Sequence, residues 1–169
     1  MFSGCASKQA AADKIVELKS IYEDAIQVQS SQQPLDTGLA EAQALVDACQ
    51  AYVQKWPEDT ANLLYEYWTA AASEGLRKYE QALVHFDKVW ETDPNHRKAP
   101  IARYRAALVT EVFMNDLQAA YTRYEGFLKA YPDHEFAESA ELQLKYVGDP
   151  DGLLDAVLEE AGQETEAPE

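Results

Sequence analysis

Apolar side chains recur at helical spacing along the segment Tyr79–Thr92. Ala82, Phe86, Val89 and Trp90 lie at positions i, i+4, i+7 and i+8, which places them on one side of a helix. Pro94 follows, and a proline cannot continue the hydrogen-bonding pattern of a helix. The pattern therefore predicts a helix with one buried face that ends before Pro94.

The same arrangement occurs twice more in the chain. One copy lies downstream, with Ala120, Tyr124, Phe127 and Tyr131 before Pro132. A fainter copy lies upstream, with Leu45, Cys49, Tyr52 and Trp56 before Pro57. The three prolines are 37 and 38 residues apart. A recurrence at this period indicates a repeat array rather than one closed domain.

A small or apolar residue, a ring and an apolar residue ahead of a proline resemble the second helix of a tetratricopeptide repeat. The nearest counterparts of its first helix are Tyr67 with Ala70 and Tyr104 with Ala107. The resemblance covers residues 37–147, although each unit is longer than the usual repeat of about 34 residues. It implies an all-α fold, an α-α superhelix of helical hairpins.

Capping residues and breaks in the apolar pattern divide the chain into elements. A polar tether is expected over residues 1–12, a repeat domain over 13–161 and an acidic disordered tail over 162–169. The repeat domain divides into residues 13–57, 58–94, 95–132 and 133–161. Helices are expected over residues 39–55, 79–92 and 97–114. Expected helix starts and caps are Asp13, Asp36 or Thr37, Asp59 or Thr60, Arg97, and Asn115 or Asp116, and a C-terminal capping helix carries Leu153, Leu154, Val157 and Leu158.

The composition supports helices and makes some partners unfavourable. Only seven glycines and seven prolines occur in 169 residues, which suits helices joined by short turns. The formal charge is −16, and residues 135–169 hold eleven acidic side chains against the basic Lys145. This charge argues against nucleic acid and anionic lipid surfaces as partners, and solubility explains it.

The two cysteines lead to different predictions. Cys49 lies on an apolar stripe and is expected in the core. Ser3, Gly4 and Cys5 resemble the end of a bacterial lipoprotein signal, which implies that Cys5 is lipidated and that the membrane is reached only through this anchor. The basic and apolar regions of such a signal do not precede Met1, so either the recorded chain starts late or the match is chance.

The junction around residues 131–144 resembles those of periplasmic tetratricopeptide lipoproteins. It consists of Tyr131, Pro132 and Asp133, a short turn, and then the alanines Ala137 and Ala140. The resemblance implies a lipid-anchored scaffold on the periplasmic face of the outer membrane. The alternative is a cytoplasmic tetratricopeptide adaptor in which Cys5 has no role.

The sequence contains no pattern of residues that predicts catalysis. There is no glycine-rich phosphate loop, no nucleophile elbow, no metalloprotease motif and no paired-cysteine metal spacing. His96 and His134 each follow a repeat proline by two residues and are expected in turns. His85 has no acidic or cysteine residue at i+3 or i+4. We therefore expect neither an enzyme nor a cofactor or metal site.

The expected function is binding of a protein or peptide. First helices of successive hairpins line the inner, concave face of such a stack. Rings and guanidinium groups on those helices predict the contact residues Tyr65, Trp68, Arg103 and Arg105. Arg97 and Lys98 extend the basic cluster, so the hypothesis is a partner that presents an acidic or carboxylate-terminated segment.

Overall fold

A computed structural model describes residues 3–29, 38–149 and 152 of the chain. The regular structure of these residues is helical, and no strand occurs among them. The elements are α1 (Ser3–Gln29), α2 (Leu39–Lys55), α3 (Asn62–Gly75), α4 (Tyr79–Thr92), α5 (Ala99–Leu108) with a π-helical turn (Val109–Phe113), α6 (Leu117–Ala130) and α7 (Ala137–Gly148). The predicted all-α class is confirmed.

Three residues of each predicted apolar stripe are buried, whereas the fourth, Trp90, Tyr131 or Trp56, is half-buried. Ala82, Phe86 and Val89 of α4 have no exposed surface, and the corresponding residues of α6 have none either. Their counterparts on α2 are Leu45, Cys49 and Tyr52, and the largest exposed fraction among those three is 4%. The bounds predicted for α2 and α4 are also those observed.

The three turns that follow the stripes have the same hydrogen bonds. The residue two positions after each proline is Asp59, His96 or His134. Its backbone N–H donates to the carbonyl three residues earlier, and its own carbonyl accepts from the N–H three residues later. Its side chain accepts a further bond from the backbone N–H two residues on, over 2.8 to 3.2 Å. The recurrence seen in the sequence is thus a recurrence of backbone geometry, and the turn positions predicted for His96 and His134 are confirmed.

The π-helical turn explains why the second proline spacing is one residue longer than the first. After α3, Leu76 N–H donates to Ala72 and Lys78 N–H to Ser73. After α5, Met114 N–H donates to Val109 and Asp116 N–H to Thr110, so that each bond spans one more residue. The extra residue widens the last turn, which is what a π-helix does. The prediction of one regular helix over residues 97–114 is therefore wrong at both ends. The helix begins at Ala99, and its last turn, Val109–Phe113, is π-helical.

The chain forms two compact units, Met1–Ala102 and Arg103–Glu169, each described here by itself. In the first unit α1 packs on α2, α2 on α3 and α3 on α4. Its main core joins α1, α2 and α3 through buried residues that include Ile15, Val46, Tyr52 and Ala72. Tyr67 of α3 contacts Phe86 of α4, with ring centroids 5.9 Å apart.

The first helix begins ten residues earlier than predicted. A polar tether was expected up to residue 12, but α1 starts at Ser3. The ammonium of Lys8 forms an ion pair with Asp59, and Ala11 and Ala12 pack against the first core. The tether prediction is therefore wrong for residues 3–12, because Lys8 and two alanines find partners in the fold.

In the second unit α6 packs on α7 and against the π-helical turn. The core contains Tyr104, Ala107, Tyr124, Phe127 and Ala140. Tyr104 lies 6.0 Å from Tyr124, which repeats the contact between Tyr67 and Phe86. Each hairpin therefore places a tyrosine of its first helix against a ring of its second.

Helix caps agree with some predictions and differ from others. The side chain of Asp116 accepts from Ala119 N–H over 3.0 Å, which confirms it as the cap of α6. Asp59 accepts from Ala61 N–H, but α3 begins only at Asn62. The predicted caps Asp36 and Thr37, the capping helix with Leu153 to Leu158 and the tail 162–169 lie outside the described residues.

Candidate protein-binding surface

Trp68 is the predicted contact residue that retains surface in the first unit. Its ring is half-buried on α3, with the ring of Tyr65 5.6 Å away. The ammonium of Lys19 on α1 lies 5.6 Å from the centroid of the indole, within the range of a cation–π contact. The indole is thus held between two helices, with part of it open to solvent.

Tyr65 lies in the core rather than on a surface. Only 5% of it is exposed, and its ring meets that of Tyr52 edge-on at 4.7 Å. Burial raises the pKa of its hydroxyl, with the negative charge of Asp59 adding to the effect. The structure gives Tyr65 a packing role, and its contact with a partner stays a prediction.

Arg103 and Arg105 lie two residues apart on α5, and helical geometry points such a pair in different directions. Both side chains are half-buried. The guanidinium of Arg103 lies over α6 at Gly126, where a Cβ would come within 2.7 Å of Nη2. The absent side chain at Gly126 therefore makes room for Arg103.

The remaining predicted residues fall on different parts of the chain. Lys98 places its ammonium 4.6 Å from the ring centroid of Tyr67, and Arg97 is exposed. Cys5 is part of α1, and its side chain lies outside the described set, so lipidation stays an expectation. Cys49 is fully buried, as predicted.

A charged cluster around the buried carboxylate of Glu66 links α3 to α4, and no local pattern in the sequence predicted it. Glu66 Oε2 lies 2.5 Å from His85 Nδ1, and Lys88 Nζ donates to Glu66 Oε1 over 2.5 Å. Burial opposes ionisation of Glu66, but the hydrogen bonds from His85 and Lys88 outweigh it and hold the pKa of the carboxyl below its usual value. The carboxylate that partners His85 therefore lies on α3, and residue spacing along α4 does not predict it.

Cys49 lies close to this charged cluster without being activated by it. Burial raises the pKa of its thiol to about 12, although a hydrogen bond from Thr69 acts in the opposite direction. A thiol with this pKa stays protonated at neutral pH and is a poor nucleophile. Cysteine, carboxylate and imidazole thus occur together as part of the packing between α2, α3 and α4.

A cleft of about 510 Å³ opens beside Glu66 in the first unit. Its lining includes Asp59, Asn62, Lys88, Asp93 and His96. The amide of Asn62 donates to the carbonyls of Trp56 and Pro57, while its Oδ1 is buried with no hydrogen-bond partner among the described residues. Burial lowers the pKa of His96, so its ring is neutral at pH 7. The cleft brings carboxylates, an ammonium and an imidazole together, and the sequence did not predict it.

Comparison with known proteins adds no assignment. No protein-family model matches the chain, and no curated protein matches its sequence. Within residues 3–29, 38–149 and 152, no three His, Cys, Asp or Glu side chains are arranged to hold a metal ion. No helix in the described part of the chain has both the length and the apolar character needed to cross a bilayer.

Proposed function

We propose that this protein is a non-enzymatic scaffold built from tetratricopeptide-like hairpins, which binds a protein or peptide. The observation that carries the proposal is the recurrence of one hairpin junction at Asp59, His96 and His134, each following a buried stripe. Repeated helical hairpins present a row of similar helices to a partner, which is how such arrays bind extended segments. Support thus comes from the repeated geometry rather than from any one residue.

The partner is proposed to present acidic or carboxylate-terminated groups. Trp68 keeps part of its indole exposed beside Lys19, so that an aromatic surface and a cation lie together. Arg105 adds a guanidinium on α5, and guanidinium groups bind carboxylates with two parallel hydrogen bonds. Aromatic and arginine side chains are also the types that contribute most to binding energy at interfaces.

The test of this proposal replaces Trp68 and Arg105 with alanine, singly and together. Partners recovered by cross-linking with the native protein are re-measured with each variant, and a free C-terminal carboxylate on the bound segment is compared with its amide. We expect each single change to weaken binding at least about tenfold, which corresponds to roughly 1.4 kcal/mol.

Matched controls are available on the second helices of the hairpins. Trp90 of α4 and Arg123 of α6 are half-buried residues of the same two types. A Trp90→Ala/Arg123→Ala protein should keep its partners. Equal binding by both double variants, with helical content unchanged, removes Trp68 and Arg105 from the site.

The location we propose is the periplasmic face of a bacterial outer membrane, with an acyl anchor on Cys5. Support comes from the residues Ser3, Gly4 and Cys5 and from the resemblance at residues 131–144. The alternative is a cytoplasmic adaptor. Mass spectrometry of the N-terminus of protein from its native source distinguishes them, because an acylated Cys5 as the first residue supports the anchor and an unmodified Met1 or Phe2 supports the adaptor.

A further inference from the structure

The cleft beside Glu66 lies between two successive turns of the repeat. Asp59 and His96, which hold equivalent positions in their turns, both line it. The rest of its lining comes from the end of α2, from α3 and from the end of α4, all within the first unit. Its volume of about 510 Å³ is within the range of pockets that bind small groups.

The lining of the cleft carries a net negative charge. It has four carboxylates and one ammonium, from Glu58, Asp59, Glu66, Asp93 and Lys88. Lys88 neutralises Glu66, to which it donates a hydrogen bond. Burial lowers the pKa of His96, so its imidazole adds no positive charge at pH 7. The charge of the lining therefore favours a cationic group and disfavours an anion.

Two of the carboxylates are not neutralised within the fold. Among residues 3–29, 38–149 and 152, neither Glu58 nor Asp93 forms an ion pair. Glu58 is exposed, whereas Asp93 is half-buried and accepts one bond from Asn95 N–H over 3.0 Å. One belongs to each of the two turns, so that uncompensated negative charge lies in both turns beside the cleft.

The chain itself shows which group fits against such a turn. A second cavity, of about 350 Å³, shares Asp59 with the cleft and also has Lys8 in its lining. There the ammonium of Lys8 forms an ion pair with Asp59, and the Tyr52 hydroxyl donates to the same carboxylate over 2.8 Å. A lysine side chain is therefore the group that the fold places against the first turn.

We propose that the cleft binds the ammonium of a lysine side chain from a partner protein, with Glu58 and Asp93 supplying the negative charge. The partner's lysine then stands to the second turn as Lys8 stands to the first. Thr60 and Thr92 also line the cleft, and their hydroxyls can accept hydrogen bonds from an ammonium, which has three donors.

This site goes beyond the proposed function. Neither Trp68 nor Arg105 belongs to the lining of the cleft, and the group that it binds has the opposite charge to the one proposed for them. The Trp68→Ala/Arg105→Ala protein should therefore bind a lysine peptide as the native protein does. Failure of one site is thus distinguishable from failure of the other.

The test measures binding of a short lysine peptide to the full chain. The probe is acetyl-Gly-Lys-Gly-Lys-Gly-amide, and its control is the same peptide with both lysines acetylated on Nζ, which removes their charge. Nuclear magnetic resonance titration of isotope-labelled protein follows the backbone N–H groups. We expect shifts at residues 57–60 and 92–96 with the charged peptide, and binding of the acetylated peptide weaker by about tenfold or more.

Two matched double variants locate the site. Glu58→Gln/Asp93→Asn removes two charges from the cleft, and the new amide at position 93 can still accept from Asn95 N–H. Asp24→Asn/Glu80→Gln removes the same charge from two exposed positions outside the lining. We expect the first variant to weaken binding of the charged peptide by about tenfold. The second should change it by about twofold or less, because salt screens distant charges.

Each outcome supports or overturns the proposal. A loss of binding confined to the cleft variant, with helical content unchanged by circular dichroism, supports it. No binding by the native protein overturns it, and so does equal binding of the charged and acetylated peptides. An equal loss in both double variants shows attraction by net charge alone, which also overturns it. Shifts of the native protein that fall outside the two turns place the lysine elsewhere and contradict the site without any variant.

Discussion

The ring of Phe86 fixes α4 to α3 in the first unit. It has no exposed surface and lies edge-on to Tyr67. The equivalent ring in the second unit, Tyr124, is also fully buried, and its hydroxyl donates to Glu111 over 2.6 Å. One ring position thus anchors both hairpins, with a polar bond added in the second.

We expect Phe86→Ala to destabilise the fold by about 3–5 kcal/mol, because it removes buried apolar surface and leaves a cavity. Val84 lies on the same helix and is 65% exposed, so Val84→Ala should change the free energy of unfolding by about 0.5 kcal/mol or less. Urea unfolding followed by helical circular dichroism measures both. Similar losses from the two variants would contradict the buried position of Phe86.

Asp59 makes the stability of the fold depend on pH. Hydrogen bonds from Lys8, from Ala61 N–H and from the Tyr52 hydroxyl lower the pKa of its carboxyl from 3.8 to about 2. The lowered pKa means that the unfolded chain takes up the proton first, so this stabilisation is present above pH 3.8 and is lost as the pH falls towards 2.

Asp59→Asn should therefore lower the free energy of unfolding at pH 7 and flatten its decrease in acid. Urea unfolding at a series of acidic pH values measures this. The control is Glu58→Gln, an exposed side chain in the same turn. A pH dependence that Asp59→Asn leaves unchanged would show that Lys8 does not hold α1 to this turn.

At the scale of an element, the π-helical turn accommodates one residue more than the turn after α3, and the positions before it stay buried. Thr110 keeps a buried hydroxyl that donates to the Ala106 carbonyl, and Val109 stays in the core. The extra length appears after them, where Val112, Phe113 and Met114 are between 40% and 59% exposed.

Deletion of Val112 should convert this turn to the form that follows α3. We expect the free energy of unfolding to change by about 1 kcal/mol or less, because Val112 is largely exposed. Deletion of Ala106 should unfold the second unit, since it rotates the buried residues that follow by about 100° around the helix. Thermal unfolding followed by circular dichroism compares the two deletions. An equal loss of stability in both would contradict the placement of the extra residue in the π-helical turn.

The cap of α6 makes a smaller, local contribution. Asp116 satisfies the free N–H of Ala119, and its replacement by alanine should cost about 1 kcal/mol. Asp133 is an exposed aspartate in another turn, and Asp133→Ala should lower the free energy of unfolding by less than Asp116→Ala does. Thermal unfolding of the two proteins at one pH distinguishes a specific cap from a general effect of charge.

At the scale of the whole molecule, Cys49 reports on opening of the first unit. Its thiol is fully buried, and its pKa of about 12 leaves almost no thiolate at neutral pH. In a Cys5→Ser protein, labelling by a thiol reagent should proceed only through unfolding, and its rate should rise with added urea. Val84→Cys should react at once, and prompt labelling of Cys49 in the folded protein would contradict its burial.

The sequence by itself determined the helices, the stripes and their period. Ala82, Phe86 and Val89 mark a buried face because helical spacing is a local property of the sequence. The proline after each stripe is also a local signal, because it cannot continue the helix that precedes it. The spacing of 38 rather than 37 residues was visible as well, but its structural cause was not. The candidate surface was predicted less well, since Tyr65 and Trp68 have the same residue class and neighbouring positions but different exposure.

Only the tertiary structure decided which groups meet across helices. Glu66 and His85 are 19 residues apart in the chain, and Lys8 and Asp59 are 51 apart, so no local pattern connects either pair. Periodicity specifies which side of each helix is buried, whereas the partner of a charged or aromatic side chain depends on how the helices are placed against one another in three dimensions.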